Sequence, residues 1–430
     1  VNNSNEIEPQ DGYDVVSTIN INIQDITHHA LLTQLEKFQA DHGCAVVMEV
    51  SSGEIKAISN LGKNTSGKYA ERFNYAVGET YEPGSVFKIM SLVTAMEEAA
   101  IDTTYVVNTQ NGVISYYGHE VRDSNRKGYG EINLSEAMQV SSNTAIVKAI
   151  HDLFHKDPKK FVNRLNKMNL NSKLGISITG EGTPKIPQPN QREWSGISLE
   201  WMAYGYGVEM TPLQVLTFYN AIANDGVMLK PRMIKEVKQW NKAVQKFDLE
   251  IINSNICTQQ TATKIKKVLE NTVKYGTGKA LYSPNFSMAG KTGTAQKDYN
   301  DKSKLGYISS FAGFFPADNP KYSCIVVIHN PDKKIGYYGA DVSGPVFKSI
   351  AQKIYTNSLL IDTIEDVEES SQNVQKSNKR YEEISQKYKT IVPNVIGMSA
   401  MDAIAILENL GLNVIVSGTG KVKEQSISAG

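Results

Sequence analysis

Three long apolar segments near residue 300 constrain the fold of this chain more than any other feature. They are FSMAGKTGTAQ (286–296), YISSFAGFFP (307–316) and YSCIVVIHNP (322–331), and each has the length and composition of a β-strand. The polar segments between them are short. Because parallel neighbours need a long crossover connection, we expect three adjacent antiparallel strands.

Further strands are predicted near the beginning of the chain. A strand is predicted from Asp14 onward, where Ile19, Ile21 and Ile23 alternate with polar residues. The segments 44–50 and 54–60 predict two more strands around a tight turn. A helix with one apolar face is expected after the first strand, and its apolar residues are Ile23, Ile26, Ala30, Leu31, Leu35 and Phe38.

Helices are predicted on both sides of a long central segment. One occupies 84–98, and another begins at Thr211 and Pro212, a favourable N-cap and first-turn pair. A third follows the last strand, from residue 344. Helices and antiparallel strands therefore lie at both ends, with a mostly helical insertion between them, which predicts the α+β fold class.

Composition divides the chain into four predicted parts: 1–13 as the end of an N-terminal region, 14–358 as the main domain, 359–389 as a charged linker, and 390–430 as a small domain. In the small domain, 392–398 and 412–418 predict strands, and 401–411 predicts a short helix that ends at a glycine.

Charge and cysteine usage exclude several classes of function. The chain has 45 basic and 45 acidic residues, which argues against nucleic-acid binding through a basic face. Its three cysteines lie far apart, and its seven histidines show no metal-ligand spacing, so neither a metal nor a cofactor is expected. No segment is apolar enough to span a membrane. Because the chain begins with Val1, we expect it to be a fragment, with any anchor in the part that precedes it.

Three short motifs suggest chemistry when they are taken together. Ser85 precedes Lys88 by one helical turn, Ser141 and Asn143 form a Ser-x-Asn triplet, and Lys291 begins Lys-Thr-Gly-Thr. Each alone is common, and the Ser-x-x-Lys spacing recurs at residues 124–127. A phosphate-binding loop is disfavoured because Asn285 stands where that motif needs a glycine.

In this order the motifs resemble the Ser-x-x-Lys, Ser-x-Asn and Lys-Thr-Gly set of penicillin-binding proteins and class A β-lactamases. The surrounding segments YEPGSVFK, VSSNTA, TPLQVLTFYNAIANDG, AGKTGTAQ and SFAGFFPADNPKY are similar to class B penicillin-binding proteins of the cell-division subgroup. The tail resembles a PASTA module. The resemblance implies a transpeptidase fold in which helices flank an antiparallel sheet, plus a helical subdomain and a small α/β tail.

The same resemblance implies a serine-type peptidoglycan D,D-transpeptidase. Ser85 would attack a D-Ala-D-Ala donor and form an acyl-enzyme, with Lys88 as its base. Asn143 would orient Lys88 and contact the donor amide. Ser141 would relay a proton between Lys88 or Lys291 and the leaving amine.

The third motif is expected to bind the donor. Lys291 and the hydroxyls of Thr292 and Thr294 would hold its carboxylate, and Gly293 would leave room for the ligand strand. The backbone N–H groups of Ser85 and Thr294 would form the oxyanion hole.

The expected partners are peptidoglycan stem peptides (donor and amine acceptor), β-lactam antibiotics, and a cell-division or glycosyltransferase partner bound through the missing N-terminal part. The parent protein is expected to be anchored in the cytoplasmic membrane, with this part outside. A D,D-carboxypeptidase, a β-lactamase or β-lactam sensor, and a non-enzymatic division scaffold are the alternatives. No Glu-x-x-Leu-Asn string occurs between Asn143 and Lys291, and Glu181 has a different context, which disfavours the β-lactamase.

Overall fold

The protein is described from a computed structural model. It describes residues 12–240, 242–297, 305–357, 383–384, 391–418 and 420–429. The helices within these ranges all lack the combination of length and apolar character that crossing a membrane requires. The chain forms two compact units, Val1–Asn357 and Ser358–Gly430. Most of the predicted linker lies outside the described residues.

The described strands are β1 (Asp14–Ser17), β2 (His42–Glu49), β3 (Ile55–Lys63), β4 (Tyr69–Glu71), β5 (Val106–Asn108), β6 (Val113–Tyr116), β7 (His119–Arg122), β8 (Glu131–Asn133), β9 (Met228–Leu229), β10 (Ile234–Gln239), β11 (Lys242–Lys246), β12 (Ile251–Asn253), β13 (Ala289–Lys297), β14 (Gly306–Phe315) and β15 (Tyr322–His329).

The described α-helices are α1 (Ile21–Phe38), α2 (Tyr75–Gly78), α3 (Lys88–Ala99), α4 (Leu134–Gln139), α5 (Asn143–Phe154), α6 (Pro158–Lys167), α7 (Ser198–Ala203), α8 (Pro212–Ala223), α9 (Gln259–Tyr275), α10 (Gly344–Asn357) and α11 (Ala400–Asn409). Short 3₁₀ turns cover Gly84–Val86 and Lys279–Leu281.

A six-stranded antiparallel sheet forms the centre of the first unit. Its strand order is β13-β14-β15-β2-β3-β4, so strands from both ends of the unit meet at the β15–β2 pair. There His329 lies opposite His42 and Tyr322 opposite Glu49. The predicted antiparallel arrangement of β13, β14 and β15 is confirmed, as is the α+β fold class.

Both faces of this sheet are covered by helices. Successive side chains of a strand point to opposite faces, and on β2 the residues Cys44 and Val46 join one buried cluster while Ala45 and Val47 join another. Helix α8 packs on the first face, and α1 and α10 pack on the second. Both faces are therefore apolar, and β2 is apolar along most of its length.

Helix α8 begins as predicted. The Thr211 hydroxyl accepts a hydrogen bond from Gln214 N, the Gln214 side chain accepts one from Thr211 N, and Pro212 occupies the first turn. The helix is buried on all sides. Its Tyr219 hydroxyl donates to Val86 O at 2.9 Å, which ties the helix to the turn that contains Ser85.

The strand predicted from Asp14 is found as β1, but its predicted continuation over residues 19–23 is wrong, because α1 already begins at Ile21. Asn20 caps this helix: its side-chain oxygen accepts hydrogen bonds from Asn22 N and Ile23 N at 3.0 and 3.1 Å. The strand β1 ends before this point, at Ser17. The predicted apolar face of the helix is correct, since Leu31, Leu35 and their neighbours are buried.

In the second unit, the predicted helix over residues 401–411 is found. It is α11, followed by Gly411 with φ 78°. The two predicted strands are wrong: 392–395 and 412–417 are irregular. A single bridge pairs Ser399 with Lys421. Gly397 N donates to Val422 O, Val422 N to Met398 O, and Ala400 N to Gly420 O, so residues 397–400 pair with 420–422 and not with the segment 412–418.

Candidate active site

Ser85 lies in the 3₁₀ turn Gly84–Val86, which leads into α3. Phe87 N donates to Gly84 O at 2.9 Å, and Gly84 N donates to Gly205 O at 3.1 Å. The α-helix itself begins three residues later than Ser85, at Lys88. The half-buried Ser85 side chain is thus presented at the N-terminal end of the helix, where backbone N–H groups lack intrahelical partners.

Lys88 is completely buried in the first turn of α3. Its Nζ donates to Ser141 O at 2.7 Å and to Ser141 Oγ at 3.2 Å. Burial lowers the pKa of Lys88 to about 7, and the carboxylate of Asp123 acts in the opposite direction. A large fraction of Lys88 is therefore uncharged at neutral pH and able to accept a proton.

Lys291, on β13, reaches the same serine hydroxyl. Its Nζ donates to Ser141 Oγ at 2.7 Å and to Thr292 O at 3.1 Å. Burial and then the charge of Lys88 lower the pKa of Lys291 well below its usual value. Ser141 itself has a left-handed backbone, with φ 57°, a conformation that costs a non-glycine residue energy. Its hydroxyl accepts hydrogen bonds from both buried lysine amines, and so places the two amines next to each other.

Asn143 is placed differently from the prediction. Its side-chain Nδ2 donates to Arg122 O at 2.7 Å, so its amide nitrogen holds the end of β7. The hydrogen bonds that orient Lys88 go to Ser141 instead. Asn143 is the first residue of α5 and lies two residues after Ser141.

The Lys-Thr-Gly-Thr segment lies on β13, the edge strand of the central sheet. A phosphate-binding loop would open a helix, and here Lys291 pairs with Ala312 inside a regular strand. Gly293 also has a packing role inside the protein. A Cβ on Gly293 would meet Ser310 Oγ at 2.2 Å and Val86 Cγ1 at 3.1 Å. Glycine is needed because β13 packs tightly against Ser310 of β14 and against the Ser85 turn.

The two threonine hydroxyls beside Gly293 are held in place. Thr292 Oγ1 shares a hydrogen bond of 2.8 Å with Thr277 Oγ1. Thr294 Oγ1 accepts one from Gly339 N at 3.0 Å. Because the Thr294 hydroxyl acts as an acceptor there, its own proton is free to be donated to a ligand.

The structure thus brings Ser141 into contact with both Lys88 and Lys291, and packs the Ser85 turn against the strand of Gly293. Residues 43–352, well over half of the chain, match the family described as "Penicillin binding protein transpeptidase domain". The chain belongs to this family. Residues 390–430 match the PASTA domain, so the predicted class B penicillin-binding protein with a PASTA module is confirmed.

Curated relatives of this penicillin-binding protein include Stage V sporulation protein D of Bacillus subtilis, which is 31% identical over 98% of this chain and 64% of its own length. Peptidoglycan D,D-transpeptidase FtsI of Escherichia coli is 28% identical over 80% of this chain and 56% of its own. The chain therefore spans less than two thirds of either relative.

Among solved structures, penicillin-binding protein 3 of Mycobacterium tuberculosis is similar, with a TM-score of 0.73 and 27% identity over 83% of this chain and 82% of that chain. That protein has also been solved in complex with aztreonam and with ampicillin.

Asp123 is a residue of this site that the sequence reasoning missed. It lies directly after β7, in the polar segment that contains Ser124 and Lys127, and its carboxylate binds the start of α5. One signal could have found it. Asp123 lies two residues after the buried Val121. Because residues two apart in an extended chain point to the same side, its carboxylate is expected to point inward as well.

Glu181, the acidic residue considered for hydrolysis of an acyl-enzyme, is engaged elsewhere. Its carboxylate accepts hydrogen bonds from Leu174 N and Gly175 N at 2.5 and 3.0 Å. It stabilises a turn of its own segment, in agreement with the sequence around it, which differs from the Glu-x-x-Leu-Asn string of class A β-lactamases.

Two histidines that are far apart in sequence meet at the sheet, a contact that spacing could not reveal. His42 Nε2 lies 2.9 Å from Glu79 Oε2, and His329 Nε2 lies 3.7 Å from the same oxygen. The two rings stack, with centroids 4.3 Å apart and planes 21° apart. A metal must lie near the plane of each ligating ring, and planes that are nearly parallel do not converge on one point. The cluster is therefore better described as a hydrogen-bonded stack than as a metal centre.

Proposed function

We propose that this chain is the catalytic part of a peptidoglycan D,D-transpeptidase that cross-links stem peptides through an acyl-enzyme on Ser85, in septal wall synthesis. The observation that carries the proposal is the hydroxyl of Ser141, shared by the buried amines of Lys88 and Lys291 beside the Ser85 turn. Such an arrangement supplies a base, a proton relay and a retained positive charge in one place.

In the acylation step, Ser85 Oγ attacks the carbonyl carbon of the penultimate D-Ala and its proton passes to Lys88 Nζ. The pKa of Lys88, about 7, suits this role because a base is most effective when its pKa is near the working pH. The C–N bond to the last D-Ala then breaks. Ser141 passes a proton from the two-lysine system to the leaving amine.

The donor carboxylate is bound by the hydroxyls of Thr292 and Thr294. Lys291 has no exposed surface, so we assign its charge an indirect part: it acts on the carboxylate through Ser141 and the threonines. Hydrogen bonds to a charged group contribute about 1.5–3 kcal/mol each. The Thr294 hydroxyl, which accepts from Gly339 N, has its proton available for this bond.

The backbone N–H groups of Ser85 and Thr294 form the proposed oxyanion hole. The packing of Gly293 against Val86 supports this assignment, because it keeps the Ser85 turn and the Thr294 strand in contact. Removing one oxyanion donor costs about 10²–10³ in rate. Asn143 is proposed to contact the donor amide through its side-chain oxygen, since its side-chain nitrogen is bonded to Arg122 O.

An amine from a neighbouring stem peptide takes the acyl group in the second step. β-Lactams resemble the D-Ala-D-Ala end, and the solved relative from Mycobacterium tuberculosis is known in complex with two of them. We therefore propose that they acylate Ser85 and are released slowly, since Glu181 is committed to its own turn.

The test is intact-protein mass after incubation with benzylpenicillin, followed over hours. The expected result is a stable one-drug adduct that Ser85→Ala lacks. Ser124→Ala is the matched control, since Ser124 and Lys127 repeat the motif spacing outside the site. An adduct that decays within minutes would favour a β-lactamase, and release of D-Ala without cross-linking would favour a carboxypeptidase. Absence of any adduct on the unmodified protein would support the scaffold alternative.

For the whole protein, we propose a membrane anchor and a cell-division or glycosyltransferase partner, in keeping with the FtsI-type relative. The catalytic part then lies outside the cytoplasm, where peptidoglycan is. We also keep as a proposal the division into 1–13, 14–358, 359–389 and 390–430.

A further inference from the structure

The carboxylate of Asp123 is buried and heavily hydrogen-bonded. Its side chain is only 4% exposed. Oδ1 accepts from Asn143 N at 2.6 Å, Thr144 N at 2.9 Å and Ser142 Oγ at 3.1 Å. Oδ2 accepts from Ser142 Oγ at 3.0 Å and Thr144 Oγ1 at 2.7 Å. All these donors lie on three consecutive residues, at the point where α5 begins.

This contact fixes the residues on either side of it. The first N–H groups of a helix have no intrahelical partner, and a negative charge there is favourable. Ser142 Oγ, which donates to Asp123, also accepts from Ala145 N at 3.0 Å. The segment is therefore held by the carboxylate and by the helix together, and the left-handed backbone of Ser141 lies directly before it.

The same carboxylate lies close to the partner of Lys88 along the chain. Asp123 binds Ser142 Oγ and Asn143 N, and Lys88 binds the carbonyl and hydroxyl of the preceding residue, Ser141. Asp123 favours the charged form of Lys88, against the burial that disfavours it. The other titratable groups around this position are Lys291 on β13 and Tyr129, and burial followed by Asp123 raises the pKa of Tyr129. Two amines buried side by side would both be driven to their neutral forms without a negative charge nearby.

We infer that Asp123 is a positioning residue of the reaction: its carboxylate fixes the Ser141–Asn143 segment that binds Lys88 and places a negative charge close to the Lys88 amine. This inference rests on the proposed function of Ser85 and Lys88. It assigns a catalytic consequence to a loop residue outside the three motifs.

Asp123→Asn separates the charge from the hydrogen bonds. The asparagine oxygen can accept from the two backbone N–H groups, and its NH₂ can donate to the hydroxyls of Ser142 and Thr144, which are able to accept. The rate of Ser85 acylation by benzylpenicillin is measured from pH 5 to 9 on the full chain. The acid limb of the profile should move to lower pH by about 0.5 unit or more, because Lys88 loses the group that favours its protonation.

Glu181→Gln is the matched control, because Glu181 also accepts from two backbone N–H groups but belongs to a different turn. It should leave the profile unchanged. An Asp123→Asn profile whose acid limb coincides with that of the unmodified protein would overturn the inference, whether or not the maximal rate falls. A purely structural carboxylate lowers the rate at every pH without moving the limb.

Asp123→Glu provides a second test if the asparagine variant does not fold. It keeps the charge and displaces it by one methylene, so the acid limb should stay in place while the maximal rate falls about tenfold or more through misplacement of the segment. A full maximal rate would overturn the positioning role. Failure of the proposed function itself is distinguishable, because the unmodified protein would then form no adduct.

Discussion

Replacing Gly293 by alanine should disrupt the site by forcing apart the packed elements around β13. The added Cβ would lie 2.2 Å from Ser310 Oγ and 3.1 Å from Val86 Cγ1. The first distance is about 1.2 Å shorter than the lower end of ordinary contacts, 3.4 Å. Neither neighbour can move easily: Ser310 lies in the middle of β14, and Val86 is buried in the Ser85 turn. The contact with Ser310 acts between β13 and β14, and the contact with Val86 acts between β13 and the Ser85 turn, so β13 must shift relative to both.

Overpacking of this kind costs about 1–3 kcal/mol of stability. A displacement of about 1 Å at a reacting group costs about 10²-fold in rate. We expect Gly293→Ala to lower the rate of acylation by benzylpenicillin by about 10²-fold, with a fall of a few degrees in Tm. Stopped-flow acylation and thermal unfolding measure the two effects separately.

A second substitution tests the cause. Ser310→Ala removes the oxygen at 2.2 Å and leaves the milder contacts with Val86 Cγ1 at 3.1 Å and Pro83 O at 3.4 Å. Gly293→Ala/Ser310→Ala should therefore recover most of the lost rate. Gly196→Ala is the control, because its Cβ would meet Tyr117 no closer than 3.4 Å. Full activity in Gly293→Ala, or no recovery in the double variant, would refute the reasoning.

Three further predictions follow from the same site. Acylation should rise with pH through about 7, because only neutral Lys88 accepts the serine proton; a pH–rate profile that falls over pH 6–8 would contradict this. Thr294→Val should lower kcat/KM for a D-Ala-D-Ala donor about 10- to 150-fold through loss of a charge-assisted bond, with little change for an ester analogue that lacks the carboxylate. The protein truncated after Ser358 should be acylated at the rate of the full chain, measured with the same penicillin; a large loss would mean that the PASTA part supports the site.

Much of the central sheet could be predicted from the sequence. The segments of β2, β3, β13, β14 and β15 are long, apolar and bounded by turn residues, and local pattern is sufficient for such strands. The strand prediction was wrong near Ile21, because alternating isoleucine and asparagine residues are compatible with both a strand and the start of a helix. In the structure, the side chain of Asn20 caps a helix there. In the second unit, residues 412–418 have the composition of a strand. Composition does not show whether another segment pairs with them, and in the structure residues 412–417 are irregular.

The candidate site was predicted as a set of residues, but its connections were not. Motif order brought Lys88, Ser141 and Lys291 together as candidates, and the structure places their polar atoms within hydrogen-bonding distance. Sequence could not show that Ser141, and not Asn143, holds Lys88, because that depends on the left-handed backbone at Ser141. Asp123 escaped notice because a single carboxylate in a polar loop has no distinctive pattern.

The pairing of β15 with β2 has a consequence for how the protein is made. The two strands are among the most distant partners in the first unit, with His42 opposite His329, and pairings so distant in sequence slow folding. A nascent chain that has not yet produced β13–β15 has only β2, β3 and β4 of the central sheet, with the edge of β2 exposed. Lys291 arrives with the same late segment. A chain interrupted before residue 289 should therefore be an aggregation-prone intermediate and a substrate for chaperones or proteases, and the ability to react with penicillin should appear only when the last strands are added.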